Sequence, residues 1–248
     1  TDRATIGTLN TTLFGQVIGN ITALDGGSSI SGASVTASDG GAAAGVAYMT
    51  RLAQALVSTV KTNTTDLGAR RVVVLNMLDV TRTPKLQAVL ATMNATQAAT
   101  VQGLVQAWVR AYNTALNTAV AAYADKMVVV DLYQGFNDEL DDLAQYGLSN
   151  KTSTVCYETF AAQGYTKSGS TPAAPGTIGL GDTDITGYPT TNVPAACTDA
   201  YASSMTSHAG GADWWKTYLF ADNFHPTPYG HQLLGQLVAK RLTEAGWL

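Results

Sequence analysis

The chain has 248 residues, 46% of them hydrophobic and only 13% charged, with 14 basic against 18 acidic side chains for a net charge of −4. That length accommodates one large α/β domain or two small ones. Without a basic stripe a nucleic-acid partner is excluded, and no apolar run reaches the length of a membrane span. Ala, Thr, Ser, Gly and Asn fill the polar positions, a composition common in secreted bacterial proteins.

Thr1-Asp2-Arg3 is neither an initiator Met nor the charged start of a signal peptide. The expectation is a chain that begins after processing, proteolysis or truncation. In residues 1–24, Leu13, Phe14, Val17, Ile18 and Ile21 suit a strand, but Gly15 and Gly19 interrupt it. Residues 25–45 are low in complexity and read as a flexible insertion. From about Val46, Met49, Leu52, Ala53, Leu56 and Val60 recur at helical spacing until Asn63-Thr64-Thr65.

Arg71 to Leu78 is a continuous β-branched apolar run, the pattern of a parallel strand buried on both faces, and it empties into Asp79-Val80-Thr81-Arg82-Thr83-Pro84. A long helix over 96–124 follows, with Val101, Leu104, Val105, Trp108, Tyr112, Leu116, Val120 and Tyr123 on one face. Met127 to Leu132 is a second buried strand, and Phe136 to Tyr146 a short acidic helix. Helix and strand in alternation predict a parallel sheet covered on both sides. Residues 149–212 are rich in Gly, Thr, Pro and Ser and read as a long excursion. Within it lie both cysteines, Cys156 and Cys197, and the adjacent Trp214 and Trp215 follow it. Neither Cys has a Cys or His partner at metal spacing, so zinc is not expected. Two buried thiols are one reading. A disulfide stapling the loop is the better one, implying an oxidising compartment and about 4 kcal/mol of stabilisation in the chain-entropy model.

The chain ends on Tyr218-Leu219-Phe220, an apolar run, then Asp222-Asn223-Phe224-His225-Pro226-Thr227-Pro228-Tyr229-Gly230-His231. A carboxylate three residues before a histidine can accept the imidazole Nδ1–H, fix the tautomer and leave Nε2 as a general base. Thr227 suits an N-cap and Pro228 the first helical position. Leu233, Leu234, Leu237, Val238 and Leu242 form the buried stripe of a helix over 228–245.

This Asp-x-x-His-Pro-Thr-x-x-Gly-His block resembles the last motif of the SGNH (GDSL-type) hydrolases, serine esterases and lipases, and most closely their secreted bacterial esterase, phospholipase and autotransporter-passenger branch. The resemblance implies a three-layer α/β/α fold with a parallel sheet, ester hydrolysis without metal or organic cofactor, and Asp222 and His225 as the acid and base of a Ser-His-Asp triad. Asn76 to Pro84 is similar to a structural strand-end segment of the same branch. Its members often carry a cysteine pair ahead of the final block, which supports the Cys156–Cys197 bridge.

The family's Gly-Asp-Ser block, which supplies the nucleophile, is absent from the sequence, as is a Gly-x-Ser-x-Gly elbow. Ser28, Ser29 and Ser31 sit in the low-complexity insertion with no strand to strain a turn. Gly19-Asn20 is partly similar to the family's Gly-x-Asn-Asp block, making Asn20 the candidate oxyanion donor, although Asn20-Ile21-Thr22 is equally a sequon. The expectation is a single family-like domain over 1–248 lacking its nucleophile segment. That segment would be cleaved, or held in another chain as a partner. His231 is read as packing or capping, His208 has no acid at fixed spacing, and Asp138, Glu139, Asp141 and Asp142 read as a solvated helix face. A calcium site on those four acids lacks the EF-hand spacing and glycine. Two functions follow. One is a secreted, periplasmic or cell-surface carboxylic-ester hydrolase acting on acyl esters, lipids, acetylated glycans or polyesters. The other is a degenerate, non-catalytic module binding glycan or lipid.

Overall fold

The computed structural model describes residues 42–91, 93–162 and 199–248. Among these, the chain runs α1 (Ala42–Asn63), β1 (Val72–Leu75), α2 (Pro84–Ala91), α3 (Ala95–Ala121), β2 (Met127–Val130), α4 (Leu132–Asp141), α5 (Val155–Ala162), α6 (Asp199–Ser204) and α7 (Pro228–Glu244), with 3₁₀ turns at Thr65–Leu67, Val80–Arg82 and Gly211–Thr217. The chain divides into two compact units. The first holds the described residues up to Leu78 with Thr100–Leu132 and Lys240–Leu248; the second holds Asp79–Ala99 and the described residues of Tyr133–Ala239.

In the first unit β1 and β2 pair in parallel, in the register Val72↔Met127 to Leu75↔Val130. Val72, Val74, Met127 and Val129 share one face because side chains alternate along a strand. They pack into a core with Ala53 and Val57 of α1 and Tyr112, Leu116 and Val120 of α3. β2 is buried along most of its length, whereas β1 ends with Leu75 exposed at 48%. The last turn of α7 reaches the sheet through Arg241, whose Nε donates to the Val129 carbonyl at 3.0 Å.

Several boundaries differ from expectation; β2, for one, ends at Val130, two residues early. The apolar run from Arg71 to Leu78 predicts a longer strand, yet β1 stops at Leu75. Asn113 of α3 takes over both backbone groups of Met77, accepting its N–H and donating to its carbonyl at 2.8 Å each. A residue whose amide and carbonyl are satisfied by a side chain has nothing left for a ladder. α1 begins at Ala42, so residues 42–45 are helical and not part of a flexible insertion. Gly45 is buried there because Trp108 of α3 approaches closely: a Cβ on Gly45 would fall 2.0 Å from the indole Nε1. The rest of the stretch 25–45 lies outside the described residues.

The second unit carries α2 and α4 to α7. Thr83 precedes Pro84, the first residue of α2, and its backbone N–H closes the Val80–Arg82 turn on the Val80 carbonyl. Arg82 binds α4 at two points, Nη1 to the Asn137 side chain at 2.9 Å and Nη2 to Asp141 at 2.6 Å. α4 starts four residues before its expected position and ends five before. Lys151 Nζ donates to the Leu140 carbonyl at its end, and a turn over Leu143–Gly147 follows. Gly135 lets α7 close on α4, since a Cβ there would lie 2.3 Å from Leu237 Cδ1. The described parts of the expected loop excursion contain α5 and α6. Trp214 and Trp215 are both buried in a cluster with Val155, Ala202 and Tyr218. Their indole N–H groups donate to the Ala202 carbonyl and the Ser203 hydroxyl.

Candidate active site

Residues 218–221 form an extended segment whose neighbours hold every part of the Asp222 turn. Tyr218 bridges Asn150 in parallel fashion, and Phe220 bridges Pro226 across the turn. The first two amides of α5, on Val155 and Cys156, donate to the carbonyls of Phe220 (3.1 Å) and Ala221 (2.9 Å). Helix N-terminal amides have no partner within their own helix, and here the segment carrying the acid satisfies them. From beneath, Phe136 of α4 meets Phe220 edge to face at 6.1 Å. The Lys85 amide in the first turn of α2 donates to the Asn223 carbonyl at 3.0 Å.

On the other flank Thr227 is fully buried and joins segment to helix. Its hydroxyl donates to the Tyr218 carbonyl at 2.7 Å and accepts the Gly230 amide at 3.1 Å. That second bond is the N-cap of α7. Pro226 and Pro228 on either side of Thr227 have fixed φ, so the turn is stiff at its exit.

Within this frame Asp222 is 7% exposed and its carboxylate holds both the backbone of the turn and the imidazole. Oδ1 accepts the backbone N–H of Phe224 at 2.8 Å and of His225 at 2.7 Å, which sets the backbone of the turn. Oδ2 lies 2.8 Å from His225 Nδ1, and Oδ1 lies 3.1 Å from the same nitrogen. A carboxylate only accepts, so the imidazole is the donor and its proton sits on Nδ1. Nε2 then carries the lone pair, and among the described residues it has no hydrogen-bond partner. The imidazole is 68% exposed while the carboxylate beneath it is 9% exposed. A buried acid orienting an accessible imidazole can take a proton from a hydroxyl and return it to another oxygen.

The remaining sequence-derived candidates fall elsewhere or outside view. Asn20, Ser28, Ser29, Ser31 and Cys197 lie outside the described residues. Cys156 is buried at the second position of α5. His208 stacks on Trp214 with ring centroids 4.1 Å apart, and His231 is exposed on α7. The acidic cluster is not a uniformly solvated face. Asp138 accepts from Gln134, Asp141 pairs with Arg82 and Asp142 accepts the Gln145 amide, but Glu139 is only 1% exposed. Burial, with the neighbouring Asp138 charge adding to it, pushes the Glu139 carboxyl up to about 7. Its Oε2 has no hydrogen-bond partner among the described residues. It shares its burial with Phe136 and Leu140 of the same helix. Two contacts had no local signal: the Asn76 amide donates to Asp131 across the strand ends at 2.8 Å, and α2 grips the Asp222 turn through Lys85.

The first unit thus holds a parallel pair of strands packed by helices, and the second an Asp-x-x-His pair on a turn ahead of the last helix. The model of the GDSL-like Lipase/Acylhydrolase family matches residues 37–238, and the chain belongs to that family. Membership carries a three-layer α/β/α fold and hydrolase activity towards esters as a class. A comparison with curated proteins returns no match.

Proposed function

We propose that the protein is a serine carboxylic-ester hydrolase in which Asp222 orients His225 and His225 moves the proton. The supporting observation is the Asp222 carboxylate, which accepts two backbone amides of its own turn through Oδ1 and faces His225 Nδ1 with both oxygens, Oδ2 at 2.8 Å and Oδ1 at 3.1 Å. In acylation a serine Oγ attacks the acyl carbon and its proton goes to His225 Nε2. The imidazolium is stabilised by Asp222, and the proton then passes to the alcohol oxygen as the carbon–oxygen bond breaks. Water repeats the sequence to release the acid. Asn20, with backbone N–H groups, is the proposed oxyanion donor.

Since no Gly-Asp-Ser occurs in the sequence, the attacking serine is assigned to a segment preceding Thr1, on the same chain or as a cleaved partner. Low charge content and the cysteine pair favour a secreted, periplasmic or cell-surface protein with Cys156 bonded to Cys197. The test uses the full-length protein on a chromogenic short-chain ester. Activity is expected, and His225→Ala should remove most of it, leaving the residual ~10³–10⁴-fold over water that binding and an oxyanion hole sustain. Well-folded full-length protein that is inactive across a broad ester panel would replace this reading with a glycan- or lipid-binding module.

A further inference from the structure

The turn that holds the dyad also displays an aromatic side chain that catalysis by the dyad does not require. In Asp222-Asn223-Phe224-His225 the first two residues are buried, at 7% and 3% exposure, while Phe224 is 54% exposed. A single exposed phenylalanine is ordinary on a protein surface. This one differs in its support and its neighbour. Its backbone N–H is bound by Asp222 Oδ1 at 2.8 Å. Its ring stands edge to face against the His225 imidazole, centroids 5.9 Å apart at 78°. The carboxylate that orients the base therefore also fixes the backbone from which the phenyl ring projects.

We propose that Phe224 is a specificity-determining residue for the alcohol side of the ester, its ring forming an apolar contact for the alkyl or aryl group of the leaving alcohol. The inference rests on the Asp222–His225 reading above. In acylation the serine oxygen–carbon bond forms and the bond from that carbon to the alcohol oxygen breaks. The proton taken from the serine is handed by Nε2 to the departing oxygen, which must therefore come within hydrogen-bond distance, ~2.6–3.2 Å, of the imidazole. The carbon chain on that oxygen begins next to the imidazole, and the phenyl ring is the apolar surface packed against it. The acyl chain, attached to the carbonyl carbon, starts one bond further from the base. Contact on the alcohol side predicts a preference for alcohols with enough carbon to cover the ring.

The experiment follows proton release by the full-length protein on two series of esters: acetates of alcohols from ethanol to hexanol and benzyl alcohol, and ethyl esters of acids from acetic to octanoic. Wild type, Phe224→Ala and Phe224→Leu are compared, with thermal melting to show that all three are folded. In wild type kcat/KM should rise along the alcohol series. Phe224→Ala should flatten that rise by about tenfold between ethyl and hexyl, the order that one or two buried methylenes are worth. Phe224→Leu should retain most of it, and the acyl series should keep its slope in all three. Flattening of the acyl series alone, or a parallel loss on every ester, would overturn the proposal while leaving the hydrolase reading intact. Wild type that hydrolyses no ester of either series would overturn both.

Discussion

Glu139 offers a quantitative test of the packing in the second unit. Its carboxyl is buried at 1% exposure and raised from 4.5 to about 7, mainly by desolvation and secondarily by Asp138. Below pH 4.5 the group is protonated in folded and unfolded chains alike and contributes no pH dependence. Between 4.5 and about 7 the unfolded chain releases the proton and the folded one holds it. Each pH unit in that window then costs the fold about 1.4 kcal/mol. Above pH 7 the whole penalty, about 3 kcal/mol, is present. Replacing the carboxyl by Glu139→Gln removes the slope. The amide still buries a polar group, so a constant cost of about 1–3 kcal/mol is expected at acid pH. Glu139→Met avoids that cost. The assay is urea unfolding of all three proteins from pH 4.5 to 8.5, taking differences so that the titration of every other group cancels. Both variants should gain on wild type by about 3 kcal/mol across the window. Stability curves that run parallel from pH 4.5 to 8.5 would refute the argument, since Glu139 would then ionise equally in both states.

Thr227→Ala should lower stability by about 2 kcal/mol, through loss of the α7 N-cap and of the bond to Tyr218, whereas Thr227→Ser, which keeps the hydroxyl, should cost about half as much. Equal losses in urea unfolding would show that the hydroxyl is not what holds helix to segment. If Cys156 and Cys197 are joined, unfolded but unreduced protein should titrate no thiol, and reduction should cost about 4 kcal/mol in the chain-entropy model. Two thiols titrating in unreduced, unfolded protein would end that assignment.

The sequence alone determined the features whose causes are local. Asp222 and His225 are three residues apart, and the bonds that join them run within one turn. The cap of α7 is spelled by Thr227-Pro228, and its hydroxyl reaches Gly230, three positions on. The two apolar runs were legible as parallel strands because runs of Val alternate with helical patterns along the chain, although only β2 is buried along most of its length. What only the tertiary structure decided was where those elements stop and which of their residues are buried. β1 ends at Leu75 because Asn113, 36 residues along the chain from Met77, takes over its backbone groups. Gly45 sits inside α1 where Trp108 of α3 leaves no room for a side chain. Glu139 looks like a surface acid until Phe136 and Leu140 on the same helix are buried with it. A hydrogen bond or a packing contact over such separations depends on coordinates that no short window of sequence contains. The chemistry of the dyad is therefore written in ten adjacent letters, and the stiffness of its support in contacts with α2, α4 and α5 that only folding creates.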